Sequence, residues 1–308
     1  MVKGKDRLRV ELAGIILANP TVLASGVLGT TPGGLKLVAD AGAGAVTTKS
    51  VGSEPRKGHS LPAVVEVEGG YLNAMGLPNP GMENYAKELE EGPEIGAPLI
   101  GSIYGGGAEE FIRVGEEIAA HVDLIELNLS CPHAGGLGAA IGSEPSLVER
   151  VVRGVTDAVE VPVLAKLTPN VPDVGEIALA AEEGGAKGIA AINTLKGMTI
   201  DIETRRPILG NRSGGLSGPA VHPVAVKAVY DIYSQCSIPI VGIGGVNSGE
   251  DLVELMLAGA SAVGVGTAVA NEGLKIFSQL INFLDRYLEG ESLSAADLIG
   301  LAHGTGEN

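Results

Sequence analysis

Eight short apolar runs recur along this chain, spaced so that a helix fits between neighbours. They are Thr21–Ala24, Ala45–Lys49, Leu99–Ile103, Leu124–Ser130, Val163–Thr168, Gly188–Asn193, Ile238–Ile243 and Ala262–Gly266. Runs this short and continuously apolar suit strands buried on both faces, as in a parallel sheet covered by helices. Amphipathic or alanine-rich stretches lie between or after them, at Gly34–Ala41, Glu109–Ala120, Ser146–Glu160, Val174–Glu183, Pro223–Ser234, Ser248–Ala258 and Glu272–Leu288. Ser146, three residues ahead of Glu149, reads as a helix-start signal. The period predicts an α/β protein, a (β/α)8 barrel forming one domain over residues 1–308. A doubly wound sheet is the alternative arrangement of the same elements.

Two segments interrupt the period. Residues 61–80, "LPAVVEVEGGYLNAMGLPNP", predict a hairpin around Gly69-Gly70 inserted after the second strand. Residues 195–219, "LKGMTIDIETRRPILGNRSGGLSGP", predict a second insertion, after the sixth strand, with a short strand and a Gly/Ser-rich stretch. Insertions after barrel strands shape the mouth where chemistry occurs.

Composition narrows the function classes. A net charge of −16, with the basic residues scattered, argues against nucleic acid as partner. No apolar run reaches the ~18 residues of a membrane span, and the N-terminal "MVKGKDRLRVELAG" lacks the apolar core of a signal peptide. Cys131 and Cys236 are too few for a disulfide scaffold or an iron–sulfur cluster. The expectation is a reduced, cytoplasmic protein.

Barrel chemistry sits at the carboxyl ends of the strands. Those positions here hold Ser25, Lys49, Ser50, Asn128, Ser130, Cys131, Lys166, Thr168, Asn193 and Thr194. Carboxylate pairs of the glycosidase kind are missing from that set, and the five histidines are dispersed, so no metal site is expected. Amides present a donor beside an acceptor, which suits the edge of a planar heterocycle. Lysines suit an anion or developing negative charge. Together they predict a site for a flat, partly anionic ring.

The last two strands end in Gly244-Gly245 and Gly266-Thr267. Such glycines make tight βα turns or cradle a phosphate, and their placement on the two last strands favours phosphate. Cys131 is either a small buried hydrophobe or, in a loop beside two lysines, a thiolate able to act as base or nucleophile. His133 is a candidate partner for it. Cys236, at a helix end, reads as structural. Alternation puts Glu126, Asn128 and Ser130 on one face, where Glu126 either balances a lysine or belongs to an ordinary polar layer.

The motifs "NLSCP", "AKLTPN", "INTLKGMTID", "RPILGNRSGGLSGPA" and "VGIGGVNSGEDLVELMLAGASAVGVGTA" resemble class 1B dihydroorotate dehydrogenase. "LNAMGLPNPG" resembles that family's substrate-side loop. The resemblance implies an FMN-holding barrel that oxidises (S)-dihydroorotate to orotate in pyrimidine synthesis. It makes Cys131 the base for the C5 proton and has Lys49 touch both substrate and flavin. It assigns Asn73, Ala74, Met75, Gly76, Leu77, Asn128, Asn193 and Thr194 to the substrate. It assigns Ser25, Lys49, Ser50, Ser102, Asn128, Lys166, Ile192 and Gly218 to the flavin, and Gly244, Gly245, Gly266 and Thr267 to its phosphate.

His133 and Ser102 stand where many relatives show Asn, which implies different hydrogen bonding there. The class passes electrons to NAD through a partner subunit carrying FAD and a [2Fe–2S] cluster, and its barrels pair as a homodimer core within a heterotetramer. The alternatives are a fumarate-using class 1A enzyme, a dihydropyrimidine dehydrogenase-like barrel, and a dihydrouridine synthase. The last needs a basic RNA-binding surface, which −16 disfavours.

Overall fold

The computed structural model describes residues 6–130 and 141–304. Seven of its barrel strands carry only buried residues: β1 Thr21–Leu23, β2 Ala45–Thr47, β3 Leu99–Ile103, β4 Leu124–Asn128, β5 Val163–Lys166, β6 Gly188–Ala191 and β8 Ala262–Val265. The remaining one, β7 Ile240–Ile243, is buried up to its last residue. All eight pair in parallel and close in the order β6-β7-β8-β1-β2-β3-β4-β5. Closure abolishes sheet edges, so each strand is covered by side chains inside and by helices outside.

The helices follow their strands in turn. They are α1 Pro32–Asp40, α2 Met82–Glu91, α3 Ala108–Ala119, α4 Pro145–Ala158, α5 Val174–Glu183, α6 His222–Gln235, α7 Gly249–Ala258 and α8 Lys275–Glu291. Asp173 caps α5 through the amides of Gly175 and Glu176, and Ser248 with Asp251 forms a capping box on α7.

Three helix expectations are corrected. Ser146 does not start α4: the helix begins at Pro145, whose fixed φ suits the first helical position, and Ser146 Oγ donates to the Glu144 carboxylate at 3.3 Å. The helix α2 has no counterpart in the sequence reading, because it starts after Gly81, at φ 85°, with no capping side chain. The last stretch divides at Gly273, φ 66°, into a short helix Ala268–Glu272 and α8.

The two insertions meet. The hairpin Val64–Val67 and Gly70–Asn73 forms around Gly69 as expected. The second insertion supplies Leu195–Gly197 and Gly214–Ser217, which join that hairpin in one four-stranded antiparallel sheet. A smaller ladder links Ile200–Asp201 to Arg206–Pro207. Segments almost 150 residues apart thus pair through Gly215↔Asn73 and Leu216↔Leu72. Gly215 is dictated by proximity, since a Cβ there would lie 2.0 Å from Thr194 Oγ1.

Gly215→Ala is therefore expected to destabilise the protein by about 1–3 kcal/mol through overpacking. Gly290→Ala, in the last turn of α8 with open space around it, should instead stabilise it by about 0.5 kcal/mol. Thermal unfolding of the two variants checks both signs.

Candidate active site

The carboxyl ends of neighbouring strands carry a continuous belt of polar side chains. Ser25, just past β1, donates to the Thr48 carbonyl at 2.8 Å and lies 3.3 Å from Ser50 Oγ. Ser50, just past β2, is 2.9 Å from Ser102 Oγ on β3 and accepts from Asn128 Nδ2 on β4 at 3.1 Å. Ser102 in turn donates to Glu126 Oε1 at 3.0 Å, and Lys166 Nζ at the end of β5 approaches the same oxygen at 3.5 Å. On the upper side, Asn193 beyond β6 donates to Asn128 Oδ1 at 3.3 Å and to Ser130 Oγ. Six consecutive strands of the closed sheet are joined in this way, which fixes each rotamer by its neighbours.

The charges in the belt do not balance. Lys166 and Glu126 are both almost wholly buried, with side chains 5% and 4% exposed. Lys49 follows β2, and its Nζ lies 3.8 Å from where a Cβ on Gly26 would stand. Burial lowers its pKa first, and the charge of Lys166 lowers it further. Two lysines thus stand with one carboxylate, and the excess positive charge favours an anion in the mouth.

The insertions close the site from above. Asn73 Nδ2 donates to the Gly215 carbonyl at 3.4 Å, while Thr194 stands against Gly215 and its amide donates to Asn193 Oδ1 at 2.8 Å. Ala74 is buried and bonds Ala63; Met75 is exposed, its carbonyl accepting from His59 N at 3.0 Å. Gly76 and Leu77 carry φ of 73° and 56°. Asn79 Nδ2 donates to the Leu77 carbonyl and to the Tyr104 hydroxyl, each at 2.9 Å, tying that loop to the region after β3.

The sequence reading gave Asn79 no role, and none to Asn170. Asn170 donates to Thr168 Oγ1 at 2.8 Å and to the Thr194 carbonyl at 3.0 Å, and it accepts from Lys196 N at 2.9 Å. The signal was available: both are amides next to a proline in a loop that follows a strand, in "LPNP" and "LTPN".

Beyond β6, the Ile192 amide donates to the Ile243 carbonyl at 2.8 Å, so this rim residue is locked to β7. Gly218 rests on Gly70 where the insertions cross. Gly244 and Gly245 have φ of 148° and 71°, which side-chain-bearing residues rarely adopt. The tight-turn explanation of that pair is therefore present in the geometry. The amides of Gly245, Gly266 and Thr267 make no hydrogen bond to another described residue, and a Cβ on Gly266 would meet only Ala24, at 3.7 Å. Thr267 Oγ1 donates to Ser217 Oγ at 2.9 Å.

Cys131 and His133 lie outside the described residues; the chain enters that segment from Ser130, a member of the belt. Cys236 is half-buried, its thiol pushed up to about 12 by burial and then by Glu182, which keeps it unreactive. Among the described residues no three His, Cys, Asp or Glu side chains cluster as a metal site, and no helix is long and apolar enough to cross a membrane.

The Lys49 geometry carries a stability consequence. Its folded-state pKa is below the ordinary 10.5, so the unfolded chain holds that proton more tightly and stability rises with pH until Lys49 is neutral in both states. Lys49→Met should stabilise the ligand-free protein by about 1 kcal/mol at pH 7, as removal of a partly desolvated, unpaired charge does. That advantage should shrink as the pH approaches 10.5. Melting curves of both proteins at several pH values test this, and an advantage constant with pH refutes it.

The chain is similar to known proteins over most of its length. The family model described as Dihydroorotate dehydrogenase matches residues 7–288. A protein of Methanosarcina acetivorans named dihydroorotate dehydrogenase B (NAD(+)), catalytic subunit, is 54% identical over 297 residues, covering 95% of this chain and 95% of its own. Proteins of the same name from Methanocaldococcus jannaschii and Pyrococcus furiosus are 48% and 50% identical, covering 97% and 96% of this chain and 99% and 98% of their own. The chain belongs to the dihydroorotate dehydrogenase family.

Proposed function

We propose that this chain is one barrel domain that oxidises (S)-dihydroorotate to orotate in cytoplasmic pyrimidine synthesis, holding FMN as hydride acceptor. The observation that carries the reading is the polar belt, in which Lys166 is paired with Glu126 and Lys49, near Lys166, adds a second positive charge among amides and hydroxyls. Dihydroorotate brings a carboxylate and a ring of amide groups, which are the complements of that set.

The residues present fit FMN. Three free backbone amides at Gly245, Gly266 and Thr267, with open space beside Gly266, suit a phosphate at the ends of β7 and β8. Ser25, Lys49, Ser50, Ser102, Asn128, Lys166, Ile192 and Gly218 would face the ring, and Gly244 would join the phosphate turn. When bound, the flavin supplies an acceptor for the hydride from substrate C6.

The chain's own residues do the rest. Lys49 and the amides of Asn73, Asn128 and Asn193 orient the substrate, with Thr194 and the loop Ala74, Met75, Gly76 and Leu77 covering it. Cys131, directly after the belt residue Ser130, takes the C5 proton. Lys166, held by Glu126, supplies positive charge at the ring.

The names of the relatives support a partner. We extend the reading to an electron-transfer subunit with FAD and a [2Fe–2S] cluster that passes electrons to NAD, on a homodimeric core in a heterotetramer.

The purified protein should show flavin absorbance that bleaches when dihydroorotate is added without oxygen. Cys131→Ala should slow the bleaching by about 10²–10⁴-fold, the usual cost of losing a positioned base. An unaltered rate would remove the thiol from the mechanism, and a colourless protein would remove the flavin. NADH should form only when the partner subunit is co-expressed.

A further inference from the structure

His222, the first residue of α6, is buried, and each of its ring nitrogens meets an oxygen. Nδ1 lies 2.9 Å from the carbonyl oxygen of Gly244, and Nε2 lies 3.0 Å from Glu254 Oε2 on α7. Asp251, also on α7, presents Oδ1 at 3.7 Å. A carbonyl only accepts, so Nδ1 carries a hydrogen and donates it to Gly244. The ring is strung between α7 and the turn that follows β7.

Its charge is not what matters. Two carboxylates stand beside the ring, so the cluster presents no net positive field to an anion. Its effect is geometric. The Gly244 carbonyl and the Gly245 amide belong to one trans peptide and point in opposite directions. Holding the carbonyl toward His222 turns the Gly245 N–H away from it, and that amide makes no hydrogen bond within the described protein. The fit leaves little alternative, since a Cβ on Gly245 would lie 2.6 Å from the His222 Cβ and 2.8 Å from its nitrogen. With φ of 148° and 71°, two successive glycines have wide conformational freedom, so something outside the turn has to select the peptide orientation.

We propose that His222, braced by Glu254, is the positioning residue of a phosphomonoester-binding turn, setting the Gly244–Gly245 peptide so that its amide is presented to the ligand's phosphate. This rests on the reading of that turn as the phosphate site of FMN, and the test separates the two.

Flavin-stripped protein is titrated with FMN and with riboflavin, which lacks the phosphate, following flavin fluorescence. Wild-type protein should prefer FMN by a hundredfold or more; equal affinity for both would overturn the phosphate reading itself. His222→Ala should lose roughly fivefold to tenfold in FMN affinity, the worth of one hydrogen bond, with riboflavin affinity unchanged. His222→Asn, whose Nδ2 can replace Nδ1 as donor to the carbonyl, should recover most of the loss. Should His222→Ala not fold, Glu254→Gln, whose side chain is 58% exposed, takes its place with a smaller, FMN-selective loss. Variants that weaken both ligands alike, or neither, would overturn the role of His222 while leaving the phosphate site in place.

Discussion

A buried Lys166–Glu126 pair, with the part-buried Lys49 adding a second positive charge beside it, forms the constraint around which the rest of this protein is arranged. A charge taken from water into a protein interior costs several kcal/mol unless it is paired. Lys166 has Glu126; Lys49 has burial and the like charge of Lys166 against it. A fold built only for stability would not keep this set. It is tolerable because a large closed barrel supplies stability elsewhere, and an anion bound at the mouth would remove the imbalance. Such a ligand stabilises the folded state in proportion to the logarithm of its concentration over its dissociation constant, so binding and folding are coupled through the same charges.

The barrel is suited to holding that imbalance. Lys49, Ser102, Glu126, Asn128 and Lys166 come from successive strands whose ladders are in fixed parallel register. Hydroxyls fill the gaps between them, and Ser50 alone links Ser25, Ser102 and Asn128. Polar groups that satisfy one another at low dielectric rigidify the site. Recognition above the belt is assigned differently: Asn73 sits on the first insertion and Thr194 directly before the second, and the two insertions meet in a separate small sheet tied to the barrel through Asn79 and Asn170.

What the sequence made legible follows from locality. The barrel strands could be read because burial on both faces leaves a continuous apolar run, and the observed strands begin within two residues of the expected positions. Ser25, Ser50, Asn128, Lys166 and Asn193 were legible because they stand at the ends of those runs, Glu126 because it alternates with Asn128, and Ser102 only through the family resemblance. Three things were not. The helix α2 starts at a glycine with no capping side chain, so it announces no beginning. Ser146 carried the letters of a cap, but Pro145 fits the first helical position better. The sheet over the mouth depends on Leu216 finding Leu72, a pairing between two short strands that neither strand encodes alone.

The same distinction explains why the ends of β7 and β8 differ chemically from the other six. There the groups without a partner among the described residues are the backbone amides of Gly245, Gly266 and Thr267, which have no side-chain identity and depend wholly on peptide orientation. Side chains from outside the turns have to set that orientation: His222 acts on the Gly244 carbonyl, and Thr267 is tied to Ser217 of the second insertion. Ile192, whose amide bonds the Ile243 carbonyl, joins this half of the rim to the polar belt. A change at α6 or in the small sheet therefore reaches the amides of the last two strands without touching a residue at the centre of the mouth.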